Sequence, residues 1–272
     1  MKYLSSVIIL VVAFLIFGSC AKDNEMSDAV KNVKNGFVNP FDNYGKEHNN
    51  ALAYYYNNAE VITPLEIERK LNNFFKNPSG LVFQDLASSG YSDVEIHNMI
   101  DDVFEKLDGD FTFTNEEVLN MLASNDKISG TCKDIIENIF RYVQNYPSLH
   151  EDSFEASVTP FLIFINETED YVNNNSVLSL DEKAYLLETL SIASNSMEYW
   201  FANYELWDTK YFKGKKANGR GWRIFRQVCK VVAKDVGGAA AATGVCTYFV
   251  WAGPYATAAV VVVAAASSCT DY

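Results

Sequence analysis

Ser92-Asp-Val-Glu-Ile-His-Asn-Met-Ile-Asp-Asp-Val-Phe-Glu-Lys-Leu107 is a helix written together with its own start signal. Ser92 is followed three residues later by Glu95. That is the capping box: the hydroxyl takes the amide at N3, and the carboxylate reaches back to the amide of the cap. Ile96, Met99, Ile100, Val103, Phe104 and Leu107 then step by three and four along one helical face. The same grammar recurs along the chain. Thr63-Pro64-Leu65-Glu66, Thr114-Asn115-Glu116-Glu117 and Ser179-Leu180-Asp181-Glu182 each open a run with helical spacing. Asn39-Pro40-Phe41-Asp42 offers an Asn cap with Pro at N1. Cys132, Ile135, Ile136, Ile139, Phe140 and Val143 form a second stripe, which Pro147 is expected to end. Leu186, Leu190, Ala193, Met197, Trp200 and Tyr204 form a third. Ser153–Asn173 is helical in pattern, with an irregularity expected before Pro160. No stretch alternates with period two. These features predict an all-α, multi-helix bundle of roughly seven to nine helices.

The C-terminal part obeys a different rule. Val236–Thr270 carries no charge over 35 residues, and fifteen of these are Ala or Gly. The stretch predicts an Ala/Gly-rich helical hairpin, with helices near 239–252 and 255–268 folded at Gly253-Pro254. Small side chains let helix backbones approach closely. Such a hairpin can be clamped by the larger domain, or it can insert in a membrane with a basic flank on anionic headgroups. It resembles the glycine-zipper-like tails of bacterial envelope proteins. With the basic segment before it, it also resembles some bacteriocins in gross pattern. The resemblance implies a membrane-active, pore-forming alternative acting through residues 210–272.

The N-terminus reads as an export signal. Lys2 supplies the positive start, Val7–Phe17 the apolar region, and Gly18-Ser19 two small residues before Cys20. The junction resembles the lipobox of bacterial lipoproteins, although Phe17 stands where Leu is commonest. The resemblance implies cleavage before Cys20, lipid on that cysteine and attachment to a membrane through it. Ala21-Lys22-Asp23-Asn24-Glu25 resembles the acidic export signal of surface lipoproteins in Bacteroidota-type bacteria. Gly45-x-x-His48-Asn49-x-x-Leu52 and Ser196-x-x-Tyr199-Trp200 look like strings in uncharacterised lipoproteins of that group, which implies no activity. The expected organisation is a signal peptide over 1–19, a tether over 20–38, an acidic helical domain over 39–209, a basic linker over 210–221 and a C-terminal segment over 222–272.

Charge follows this division. Residues 21–209 hold 33 acidic and 12 basic residues, a net of −21, whereas residues 210–234 hold nine Lys/Arg and no acid. The basic segment can dock on the acidic body. Alternatively Lys213, Lys215, Lys216 and Arg220 can meet anionic headgroups. An acidic, exported chain is a poor partner for nucleic acid. Any protein or glycan partner stays open.

Chemistry-bearing motifs are few. Excluding Cys20, four cysteines remain, and an oxidising compartment favours disulfides. A break at Gly237-Gly238 would set Cys229 opposite Cys246, leaving Cys132 and Cys269 to join the tail to the body; buried, reduced thiols are the other reading. Three scattered His residues at 48, 97 and 150 and no CxxC give no zinc site. Asp108-Gly-Asp110-Phe-Thr112 starts like a calcium loop, but Phe113 and Leu119 occupy the positions that need Gly and Glu, so a helix-end turn is expected. His48 shares a helical face with Tyr44, Ala51 and Tyr55 but has no nucleophile motif beside it. Trp200, Tyr204 and Trp207 belong to an aromatic concentration that either packs the core or binds a ligand. No cofactor is implied, and the chain reads as a non-enzyme.

Overall fold

The computed structural model describes residues 37–149, 158–212, 220–245 and 254–270. Among these residues the chain forms ten α-helices and no strand. α1 spans Asp42–Asn58, α2 Pro64–Phe75, α3 Leu81–Ser88, α4 Asp93–Leu107 and α5 Asn115–Ser124. α6 spans Gly130–Leu149, α7 Val158–Asn174, α8 Leu180–Phe212, α9 Arg220–Val245 and α10 Pro254–Ser268. The protein is all-α. The expected signal peptide, Cys20 and nearly all of the expected tether lie outside the described residues.

The start signals operate as their chemistry requires. Ser92 accepts from the Glu95 amide, and Glu95 takes the Ser92 amide at 2.8 Å. Thr114 with Glu117 and Ser179 with Glu182 make the same reciprocal pair. Thr63 accepts from the Glu66 amide at 3.2 Å. Asn39 departs from expectation. Phe41 is the cap residue of α1. The Asn39 amide instead donates to Glu169 at 2.6 Å and to the Leu187 carbonyl at 2.8 Å. Its Oδ1 still accepts from the Phe41 amide at 2.9 Å, so a local bond at the start of α1 coexists with the tie to α7 and α8. Pro147 does not stop α6, which runs on to Leu149. In the last turn a proline forfeits only about one backbone bond.

One hydrophobic core holds residues from Ala51 to Cys269. The expected boundary at 210–221 therefore does not separate two cores. α9 packs on α5, α6, α8 and α10; α10 packs on α1, α2, α3, α4, α8 and α9. Every residue from Ala258 to Cys269 is buried. A helix that is apolar all round has no solvent face and must be enclosed. The C-terminal helix is thus the axle around which the acidic helices are arranged.

Gly237-Gly238 is not a break, because α9 passes straight through it. The glycines serve close approach. A Cβ on Gly238 would stand 3.0 Å from the Ala264 Cα and 2.7 Å from Ser267 Oγ. Asp235 faces Ser268, so α9 and α10 run antiparallel. The segment 246–253, which contains the expected Gly253 turn, lies outside the described residues.

Candidate functional site

His48 is brought inward by the close seating of α1 on α8. A Cβ on Gly45 would lie 2.4 Å from the Ser191 carbonyl oxygen, so only glycine fits that approach. The Gly45 amide donates to Ser191 Oγ at 3.1 Å, and Asn49 donates to the Asn195 carbonyl at 2.9 Å. With the backbones this near, His48 is completely buried beside Ala51, Leu52 and Tyr55. Its Nδ1 lies 3.1 Å from Asn49 Oδ1.

Across from it stands Asp235 of α9, also completely buried. The Ser196 hydroxyl of α8 donates to Asp235 Oδ2, and the Ser268 hydroxyl of α10 donates to Oδ1. Trp200 Nε1 donates to Ser268 Oγ at 3.3 Å. His48 Nε2 lies 3.7 Å from Asp235 Oδ2, an ion-pair distance rather than a hydrogen bond. One carboxyl group therefore gathers α1, α8, α9 and α10. Nothing in the sequence reading singled out Asp235. The available signal was its place: the last charge before a 35-residue uncharged stretch.

The cluster contains His, Asp and Ser, yet its geometry is not that of nucleophilic catalysis. A relay needs the serine hydroxyl bonded to the imidazole and the imidazole to the carboxylate. Here both serines bond directly to the carboxylate, and His48 Nε2 makes no hydrogen bond. Cys269 adjoins the cluster, but burial first and the nearby Asp235 second hold its thiol well above the ordinary range. It is no thiolate nucleophile. The group pins helices in register.

A second polar centre lies toward the other end of α10. The Thr257 hydroxyl donates to Glu188 at 2.6 Å. The Tyr44 hydroxyl donates to Asp85. Burial pushes Glu188 up to about 8, and the neighbouring Asp85 adds to the rise, while the Thr257 bond opposes it.

The aromatic concentration is a core feature at the α1–α8 seam. Trp200 and Trp207 are buried and meet edge to face at 4.8 Å. Trp207 stacks on Tyr55 at 6.1 Å and donates to the Tyr199 hydroxyl at 3.1 Å. Tyr204 is half-buried against the same core. The structure brings His48 and Trp200 into one cluster through Ser268 and Asp235, and it gives the two tryptophans no open platform. Lys210, at the start of the basic segment, sits over the Tyr56 ring at 4.5 Å. Lys213, Lys215 and Lys216 lie outside the described residues, as does the Arg220 side chain.

The expected disulfides are corrected. Cys132, Cys229 and Cys269 are free and buried. The hairpin premise fails because α9 is continuous: its sixteen steps from Cys229 to Val245 carry the chain about 24 Å away at 1.5 Å per residue. Cys246 lies outside the described residues. Among the described residues no group of His, Cys, Asp and Glu could hold a metal ion. The calcium-like string is the expected helix-end turn: Asp108 ends α4 in the left-handed conformation, and Asp110 accepts from the Thr112 amide at 3.0 Å.

No protein-family model, curated protein or solved structure matches the chain.

Proposed function

We propose that this chain is a lipid-anchored protein of the cell envelope, held through Cys20 and displayed at the outer-membrane surface, whose helical body is a binding or structural module without catalytic chemistry. The observation that carries the reading is the Gly18-Ser19-Cys20 junction behind an apolar run, followed by Ala21-Lys22-Asp23-Asn24-Glu25. The fold supports the second half of it. The side chains with the most chemistry to offer, His48, Asp235, Ser196 and Ser268, are sealed in the core and spent on joining helices.

The membrane-active alternative has less to stand on. Among the described residues no helix is long and apolar enough to cross a membrane. Insertion through residues 210–272 would have to draw α10 out from among six other helices. The described part of the uncharged stretch is accounted for by enclosure.

Metabolic labelling with a fatty-acid analogue tests the anchor. The wild-type chain is expected to take up label and Cys20→Ser to take up none. Protease treatment of intact cells tests display: digestion is expected, and protection equal to that of a periplasmic control would refute it. Leakage of anionic liposomes by the folded chain would favour the alternative.

A further inference from the structure

α6 and α7 leave a cleft of about 260 Å³ between them, lined by Ile135, Ile139, Phe164, Glu167, Thr168 and Tyr171, with Asn138 at the rim. The sequence places these residues there. On α7, positions 164, 167, 168 and 171 fall on one face, as do 135, 138 and 139 on α6. Ile135 and Ile139 are buried and form an apolar floor. The Phe164 ring is backed by Tyr142, stacked at a centroid separation of 3.5 Å. Tyr171 is 56 % exposed, a large ring turned to solvent at the mouth. Glu167 is exposed beside it.

Aromatic faces next to a carboxylate form a receptor for a planar cation. A guanidinium stacks on rings and bonds a carboxylate with its fork. The charge around the cleft agrees. Glu167 lines it, and the cations that α6 and α7 carry are Lys133 and Arg141. Both cations are engaged elsewhere: Lys133 donates to the Ala123 carbonyl at 3.0 Å, and Arg141 pairs with Glu137 at 2.6 Å. The cleft is smaller than the roughly 300–1,000 Å³ of sites that enclose a small-molecule ligand. It suits one long side chain.

We propose that the α6–α7 cleft is a docking site for an arginine side chain presented by a basic partner protein, with the guanidinium between Tyr171 and Phe164 and its fork on Glu167. This rests on the binding-module half of the reading above and is independent of lipid attachment.

The test uses the full chain in detergent and a fluorescein-labelled, otherwise uncharged peptide with a central arginine. The same peptide with citrulline, neutral and of the same shape, is the comparison. The arginine peptide is expected to bind at least about tenfold more tightly. Glu167→Gln and Tyr171→Ala should each weaken it by about fivefold or more with the melting temperature unchanged, since both side chains are exposed. Glu105→Gln, an exposed acid on α4, should leave it unaltered. Equal binding of the citrulline peptide, no arginine binding at millimolar concentration, or an equal loss in Glu105→Gln overturns the proposal. Surface display would be untouched by any of these results, so the two readings fail separately.

Discussion

α4 and α10 are both fifteen residues long, and they are specified in opposite ways. α4 carries its own instructions. It has a capping box, acids in its first turn, Lys106 in its last turn and a single apolar stripe. α10 has none of these beyond Pro254 at its first position. Its side chains are Ala, Val, Ser and Thr with one Tyr, and its outer half is buried on every side. Local chemistry decides that α4 exists and which face it buries. Enclosure decides both for α10. The energetic consequence is that damage around α10 should cost far more than damage to the signals of α4, although the two helices are equally long.

The largest effect is expected at Trp200, which is fully buried and donates to Ser268 at the end of α10. Trp200→Ala removes the indole from the seam and leaves Ser268 without that bond. The loss should be about 3–5 kcal/mol. In a chain of this size that lowers the melting temperature by on the order of 10 °C. An unchanged melting temperature would mean the aromatic cluster is open to solvent, and the enclosure of α10 would fall with it.

Glu188, bonded to Thr257 of α10, should leave its mark in pH dependence. Its ordinary value is 4.5 and its folded value about 8. The folded chain therefore keeps the proton across that window while the unfolded chain has lost it. Unfolding releases a proton, so stability falls as pH rises from about 4.5 to about 8. At pH 7 the group costs on the order of 3 kcal/mol relative to acid conditions. Glu188→Gln keeps the acceptor for Thr257 and cannot ionise. It should flatten the slope and stabilise the protein at pH 7, as read from urea midpoints between pH 5 and 8. The carboxylates at helix starts act oppositely. Glu182 is opposed by burial but held below its ordinary value by the bonds from Ser129 and Ser179; for Glu95 and Glu117 the backbone bonds at their caps lead. Their stabilisation is lost as pH falls through their lowered values, so maximum stability is expected near pH 5. A wild-type slope retained in Glu188→Gln would show that the carboxyl group is hydrated.

Legibility divides along the same line. The all-α class and the reciprocal caps at Ser92, Thr114 and Ser179 could be read because each depends on residues three or four apart. The burial of α10 could only be weighed against membrane insertion, because Ala and Val suit either surrounding. The course of α9 was misread: two glycines in a helical pattern look alike whether the chain turns there or another helix presses close. Asn39 was legible only in part: its bond from the Phe41 amide is local, whereas Glu169 and Leu187, which its NH2 group meets, are remote in sequence. At the candidate cluster, His48 and Trp200 could be placed on their helix faces. Asp235, which joins them, could not, because its partners Ser196 and Ser268 lie 39 and 33 residues away.

Gly238→Ala probes the glycine reading directly. The added methyl would stand 3.0 Å from the Ala264 Cα, and backbone cannot swing aside as a long side chain can. α9 and α10 must separate by a few tenths of an ångström. The cost should be about 1–3 kcal/mol, even though Ala is the better helix former. Had Gly238 been a plain helical position, the same change would stabilise by up to about 1 kcal/mol. The sign of the shift in a urea melt therefore separates close approach from mere tolerance.

The smallest effect is expected at the start of α4. Ser92→Ala removes the hydroxyl that accepts from the Glu95 amide and donates to the Glu95 carboxylate at 2.7 Å. Losing a cap of this kind typically costs about 1 kcal/mol. The site is exposed, so water can take over part of both bonds and the loss should not exceed that figure. α4 also lies under α2 and α10, and its stripe of Ile96, Ile100, Val103, Phe104 and Leu107 stays buried in the variant. The helix should persist, with the damage confined to its first turn. Hydrogen exchange reads this locally: the amides of Glu95 and Ile96, which bond to Ser92, should lose protection while those at 100–107 keep theirs. If protection were lost along the whole of α4, the helix would owe its existence to the cap rather than to its stripe, and the contrast with α10 would be sharper than a difference in energy.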